Sequence, residues 1–347
     1  MDKRYITGWL ETRAGRIPTV SAELTRSDRW GSAKATWSIG RMRYTVDPGL
    51  YAIGSAGPDS NVFVSANYKL SFDTLRRALK GLDGWILVLD TKGINVWCAA
   101  GKGTFGTKEI IDRVASVRLG DVVGHRRLIV PQLGASGVAA HEVKRGSGFS
   151  VVYGPVRAPD IQPFLEAGMV ATPEMRLVRF GIRDRLRLVP VELANGLKYL
   201  IPVAVVFLLL AGFAGSRYSG NRVLHAGLRS VVNLLLAFLG GVLLGPALLP
   251  WLPDRRFSIK GLLVGLAMFV VALVTGLAGK DPVEIVGWAL LMPAIASFLT
   301  MNFTGSSTYT SLSGVKKEMR MAVPVQLILG VAGLAAWLAS RFIPKGS

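Results

Sequence analysis

Long stretches without a single charged residue fill the second part of this chain, and they restrict its fold more than any other feature. Uncharged runs cover 199–216 (YLIPVAVVFLLLAGFAGS), 230–253, 261–279, 285–312 and 321–340. A bilayer core about 30 Å thick takes roughly 20 apolar residues per helix. In hydrocarbon every backbone group must also be bonded within the span, which favours helices. One such run is compatible with a buried helix of a soluble protein. Five in succession predict an all-α transmembrane domain of about five helices at 199–342. Residues 1–16 (MDKRYITGWLETRAGR) have no apolar core, so no signal peptide is expected there.

Lysines and arginines near the spans set the expected orientation. Arg176, Arg179, Arg183, Arg185, Arg187 and Lys198 precede the first span. Arg255, Arg256 and Lys260 lie in the second loop, and Lys316, Lys317 and Arg320 in the fourth. The opposite side carries Arg217, Arg222, Arg229, Lys280, Arg341 and Lys345. This bias predicts a multi-pass protein of the cytoplasmic (inner) membrane with its amino-terminal domain in the cytoplasm. No run holds an acid or a histidine in its apolar core, whereas ion paths and proton relays need such groups at membrane depth. An anchor or assembly platform is therefore favoured over a transporter. The hydroxyl-rich end of the fourth run (MNFTGSSTYTSLSG, 301–314) has the composition of helix contacts or a cavity lining.

Residues 1–197 read as a soluble protein. Formal net charge is +19 over the 347 residues, split as +10 before Lys198 and +9 from it onward. The excess is spread out and lacks a nucleic-acid module, so an anionic lipid surface accounts for it better than DNA or RNA. From residue 61 onward strand-like and helix-like segments alternate. NVFVSAN (61–67) precedes SFDTLRRALKGL, where Ser71 is the expected cap. GWILVLD (84–90) precedes INVWCAAGKG and a helix at 107–116. RLIVPQL (127–133) precedes a helix at 136–144, FSVVYGPV (149–156) a helix at 159–167, and MRLVRF (175–180) reads as a last strand. Apolar strands without strict alternation are covered on both faces, as in parallel sheets. The order predicts a Rossmann-like, doubly wound α/β domain at 61–181. Residues 1–60, with three tryptophans and several glycines, are expected to contribute short strands and turns to it, and 182–198 to form a basic linker. Ligands of such sheets sit beyond the carboxyl ends of the strands, here at Ser65-Ala66-Asn67, Asp90-Thr91-Lys92, Gln132-Leu133-Gly134 and Tyr153-Gly154-Pro155.

Familiar nucleotide motifs fail on inspection. Gly101-Lys-Gly-Thr-Phe-Gly106 fits G-x-G-x-x-G, but the next strand ends in Gln132 and Leu133 rather than in the acid that would hold a ribose. Gly106 is followed by Thr107-Lys108, the wrong order for a phosphate loop. His125 and His141 have no metal-ligand company, and no Asp-x-His-x-x-Gly is present.

Cys98 is the single cysteine of the chain. It cannot form an internal disulfide, and an iron–sulfur cluster needs about four thiolates, so no intrinsic cluster is expected. Lone cysteines are commonly small buried hydrophobes. Cys98 instead falls beside the expected crevice, with glycine-rich backbone following and Lys102 and Lys108 close in sequence to favour a thiolate.

The segment Asn95-Val96-Trp97-Cys98-Ala99-Ala100-Gly101-Lys102 resembles the cap-helix motif of the HgcA family, the membrane-anchored corrinoid proteins of anaerobic mercury methylation. The resemblance extends through NVFVSANYKLSFD, WILVLDTKGINVWCAAGKGTFGT, HRRLIVPQLGASGVAAHEV and YGPVRA. That family joins a corrinoid domain to about five membrane helices, and its soluble part is similar to the large corrinoid subunit of the acetyl-CoA pathway. The resemblance implies a corrinoid cofactor (cobalamin or a related cobamide) with Cys98 as the lower axial ligand of cobalt. It implies methyl transfer to mercury(II), giving methylmercury. An electron-rich ligand suits that acceptor, because an electrophile must receive the methyl group with carbanion character. The alternative is a membrane-attached corrinoid methyl carrier of one-carbon metabolism, with mercury incidental. By the same resemblance Asn95, Val96, Trp97, Ala99 and Ala100 shape the cap beneath the ring, while Gly101 and Lys102 end the turn. Ser65 and Asn67, then Tyr153, Gly154 and Arg157, are further candidates for cofactor contacts. The implied partners are the ferredoxin-like iron–sulfur protein HgcB as electron donor and a methyl donor protein linked to methyltetrahydrofolate.

Overall fold

A computed structural model describes residues 3–303 and 312–342. The chain divides into two compact units, Met1–Arg179 and Phe180–Ser347.

The first unit is built on a seven-stranded sheet. Its strands are β1 (Ile6–Thr12), β2 (Gly15–Val20), β3 (Gly49–Ile53), β4 (Asn61–Ala66), β5 (Gly84–Leu89), β6 (Arg127–Val130) and β7 (Ser150–Tyr153), in the order β1-β2-β3-β5-β4-β6-β7. The helices are α1 (Arg26–Thr36), α2 (Lys69–Ala78), α3 (Val96–Lys102), α4 (Thr107–Ser116), α5 (Leu119–Val122), α6 (Ala140–Ser147), α7 (Ile161–Glu166) and α8 (Pro173–Arg176). Strands β4 to β7 pair in parallel, with Asn61 opposite Gly84, Phe63 opposite Ile129 and Val130 opposite Tyr153. Strand β5 (GWILVL) is buried along its whole length. Its pleat sends Trp85, Leu87 and Leu89 into one apolar layer and Ile86 and Val88 into the other. Helices α3, α4, α5 and α6 close the first layer, and α2 and α7 close the second.

The expectation for 1–60 is made specific here: this segment adds the β1–β2 hairpin and β3, and β3 runs antiparallel to β5. The sheet is therefore mixed, whereas the sequence reading pointed to a doubly wound parallel one. Three local expectations are corrected. Residues 175–180 form no strand; α8 and extended chain take their place. Ser71 does not cap α2, which begins two residues earlier at Lys69 after Tyr68. Residues 132–137 form a 3-10 turn and α6 starts only at Ala140, because the turn is pressed against α3. A Cβ on Gly137 would lie 2.3 Å from the Phe105 carbonyl oxygen and 3.0 Å from the Cα of Ala100.

The second unit is helical. A short α9 (Ile182–Leu186) leads into α10 (Val189–Leu210), so the expected linker at 182–198 is largely helix. Next come α11 (Gly220–Arg222), α12 (Leu228–Leu239) and α13 (Gly245–Leu248), joined by π-turns, then α14 (Phe257–Val274), α15 (Pro282–Asn302) and α16 (Leu312–Phe342). Five helical spans, 182–210, 220–248, 257–274, 282–302 and 313–342, are long and apolar enough to cross a membrane, which marks the chain as a membrane protein. The helices reach past the uncharged runs and carry two buried acids. Glu284 pairs with Arg341 and lies 3.8 Å from Arg229, and Glu318 accepts the Ser258 N–H at 2.6 Å. Most of the hydroxyl-rich end at 301–314 lies outside the described residues.

Candidate functional site

Chain order and spatial order diverge at one point of the sheet. The connection from β4 through α2 leads to β5 on one side, while the connection from β5 through α3, α4 and α5 passes back to β6 on the other. Helices leaving in opposite directions open a crevice beyond the carboxyl ends of β4 and β6, where ligands of open α/β sheets bind. A cavity of about 370 Å³ occupies it. Its floor is Phe63, Val64 and Ser65 from β4, Ile129 from β6 and Pro131 just after it. Leu70, Thr74 and Leu75 of α2, together with Val156 and Ile161, make an apolar wall. Asn95, Val96 and Trp97, at the start of α3, form the remaining wall.

Helix α3 is short, and its first turn is fixed by one capping bond: the Asn95 side-chain oxygen accepts the Cys98 N–H at 2.9 Å. The helix has two faces. Val96, Ala99 and Ala100 are buried in the core layer, while Trp97, Cys98, Gly101 and Lys102 are exposed. Cys98 is thus a free, accessible thiol one residue beyond the cavity lining. Ala99 and Ala100 point away from solvent and pack the helix down. Gly101 and Lys102 belong to its last turn, and the helix ends at Gly103 rather than at these two residues.

The loop before α3 is held from β4. The Asn67 side-chain oxygen accepts from the Thr91 N–H at 3.1 Å, the Thr91 hydroxyl at 2.8 Å and the Gly93 N–H at 3.0 Å. Its amide nitrogen donates to Asp90 at 3.3 Å. Asn67 is therefore occupied in shaping the turn in which Lys92 takes a left-handed φ of 58°. Asp90 titrates below the ordinary carboxylate range: burial opposes its charge, and hydrogen bonds from Lys92 outweigh that. Glu109 of α4 accepts the Asp90 N–H at 2.8 Å and tethers the other side of the loop.

The remaining candidates separate. Ser65 is buried in the floor and Gly154 lines the rim. The Tyr153 hydroxyl donates to the Val138 carbonyl at 2.6 Å, tying the strand end to the turn that packs on α3. Arg157 donates to the Arg179 carbonyl at 3.0 Å. Lys108 pairs with Asp112 at 2.5 Å. His125 is bonded to the Ser60 carbonyl, and His141 is exposed beside Glu142. The α2 and α7 wall was not foreseen. Its only trace in the sequence is the i, i+4 pair of Leu70 and Thr74, which periodicity alone does not separate from core positions.

Among the described residues no three His, Cys, Asp or Glu side chains group as metal ligands. One exposed soft donor beside an apolar crevice is instead a donor set that a macrocycle-held metal could use. The donor chemistry and the crevice therefore fit a corrinoid.

Comparison with known proteins finds similarity over the same segment. A model of the family described as CO dehydrogenase/acetyl-CoA synthase delta subunit matches residues 36–164. Subunit gamma of the acetyl-CoA decarbonylase/synthase complex of Archaeoglobus fulgidus is 34% identical over 128 residues, 36% of this chain and 27% of that protein. Its counterpart in Methanopyrus kandleri is 30% identical over 123 residues, 35% of this chain and 26% of that protein. The corrinoid/iron-sulfur protein large subunit of Moorella thermoacetica is 27% identical over 128 residues, 36% of this chain and 28% of that protein. The chain spans about a quarter of the length of these relatives. The segment that builds the crevice and carries Cys98 is accordingly similar to a corrinoid-protein-related family.

Proposed function

We propose that this chain is a membrane-attached corrinoid protein of one-carbon metabolism and that it transfers a methyl group to mercury(II). The observation that carries the reading is the exposure of Cys98 on the short helix walling the switch-point crevice. When bound, a corrinoid supplies a cobalt centre able to carry a methyl group and release it. The protein's part is to hold that centre. Cys98 would hold the cobalt through its thiolate. Asn95 fixes the turn that presents it, and Trp97 flanks the apolar crevice. Ala99 and Ala100, by packing inward, keep the helix from shifting. Ser65 and Gly154 are the crevice residues assigned to cofactor contact. A thiolate there would donate more electron density than a neutral imidazole, which is the chemistry that delivery of a methyl group to a soft electrophile calls for.

In this reading electrons come from a ferredoxin-like iron–sulfur protein, HgcB, since one cysteine holds no cluster. The methyl group comes from a methyltetrahydrofolate-linked donor protein. The sheet domain lies on the cytoplasmic side, as the arginine and lysine bias favours. The acetyl-CoA-pathway relatives favour a second reading, a methyl carrier for which mercury is incidental.

The test is anaerobic purification followed by absorption spectroscopy, cobalt analysis and an assay with mercury(II), on wild type and Cys98→Ala. A corrin spectrum that changes in the variant, with methylmercury formation abolished, is expected. Unchanged methylation by Cys98→Ala overturns the axial thiolate. Corrinoid loading with methyl transfer to a one-carbon acceptor, but no methylmercury, selects the carrier.

A further inference from the structure

Helix α1 precedes the segment matched by the family model, apart from its last residue, and has no part in the crevice. Its exposed positions recur at the spacing of one helical face: Arg26, Arg29 with Trp30, Ala33 with Lys34, and then Trp37 just beyond its end. Trp30 is 66% exposed and Trp37 47%. The chain continues through Ile39 and Met42, each 63% exposed, to the exposed Arg43. Large apolar side chains gathered this densely on a soluble surface mark an interaction site.

The charge of this face is one-sided. Asp28 is the only acid between residues 26 and 43, and it is buried, bonded to Lys69, Arg76 and Thr25 on the inner side of α1. The Lys34 ammonium lies 5.5 Å above the Trp30 ring. Tryptophans alternating with arginines and lysines, without exposed acids, have the composition of surfaces that lie in the headgroup region of a bilayer. There the rings enter the interface and the cations meet anionic lipid. The same chain carries five helices able to cross a membrane, so the surface works at high effective concentration of lipid, and weak docking suffices.

We propose that α1 and the segment after it, 26–43, dock on anionic lipid headgroups. The surface also borders the candidate site. A Cβ on Gly93 would lie 2.8 Å from the Met42 carbonyl oxygen and 2.9 Å from Thr45, so the patch ends against the loop that leads into α3. Lipid docking would thereby bring the loop before α3 toward the membrane surface.

The full chain, reconstituted in phosphatidylcholine vesicles with or without phosphatidylglycerol, tests this by tryptophan quenching from lipids brominated near the headgroup. The six other indoles, Trp9, Trp85 and Trp97 of the first unit among them, give a background common to all samples. Wild type is expected to show additional quenching that requires phosphatidylglycerol and disappears at high salt. Trp30→Phe/Trp37→Phe should lose that component, and Arg29→Glu/Lys34→Glu should lose it with both indoles present. Equal quenching in all three proteins overturns the proposal. So does an indole shift that appears only on adding an acidic soluble protein, which would assign the surface to a protein partner. Corrinoid content plays no part in the readout, so the outcome is independent of the proposed function.

Discussion

The side-chain oxygen of Asn95 accepts the backbone N–H of Cys98 at 2.9 Å, and this bond joins the crevice wall to the only thiol of the protein. In a helix of seven residues one N-cap is a large share of what holds the first turn. Removing such a cap costs about 1 kcal/mol. Asn95→Ala should barely change the melting temperature of the whole chain but should lower cobalt loading, and Asn95→Ser should restore it. Equal loading in all three proteins would show that α3 keeps its turn without the cap.

Asn67 tests the loop from the other side. Asn67→Ala leaves the buried N–H of Gly93 without its acceptor, at about 1–3 kcal/mol, while the Thr91 N–H keeps the Leu89 carbonyl at 3.1 Å. Hydrogen exchange at 90–94 should accelerate ahead of the sheet. Asn67→Asp keeps the acceptor but sets a second carboxylate against Asp90, so its loss should be the greater near neutral pH and should shrink on acidification.

Lys69 and Arg76 each pair with both Asp28 and Asp73, and this buried group predicts a pH dependence. Burial would raise the pKa of Asp28. Hydrogen bonds from Lys69 and from the backbone and hydroxyl of Thr25 more than offset this, and the pKa falls from 3.8 to about 2. A depressed carboxylate contributes stability that is fully present above its unfolded pKa and lost as pH falls through its folded one. That contribution, about 2 kcal/mol, should disappear between roughly pH 4 and 2. In Asp28→Asn the unfolding temperature of the sheet domain should be lower at neutral pH and less steep across that window.

Helices α14 and α15 meet through Gly261 and Gly265, a small-xxx-small pair. A Cβ on Gly265 would lie 2.5 Å from the Cα of Pro293, and one on Gly261 2.6 Å from the Ala296 carbonyl oxygen. Both obstacles are backbone and cannot rotate away. Gly265→Leu should therefore lower the melting temperature in detergent, by an overpacking cost of about 1–3 kcal/mol or more. Gly330→Ala, with nothing within 4 Å of the added Cβ, should be neutral.

Much of this organisation is legible in the sequence because it is local. An uncharged run of about 20 residues has few alternatives to a membrane helix, since neither its side chains nor its backbone can be left in water or lipid unpaired. Apolar strands alternating with helices likewise announce β4 to β7 and the position of Cys98 after β5. The structure decided what depends on pairing across distance. Strand β3 joins β5 antiparallel, a contact between segments more than thirty residues apart that no local pattern encodes. The placement of β4 between β5 and β6 makes one end of the sheet a crevice and brings α2 and α7 to its wall. Residues of similar promise thereby receive different tasks. Ser65 stays in the crevice floor while Asn67, two positions on, is spent on the loop, and Ala99 turns into the core while Cys98 beside it faces out. Residue type supplied the chemistry at these positions, but only the packing of the helices on the sheet fixed which side chains were left free to use it.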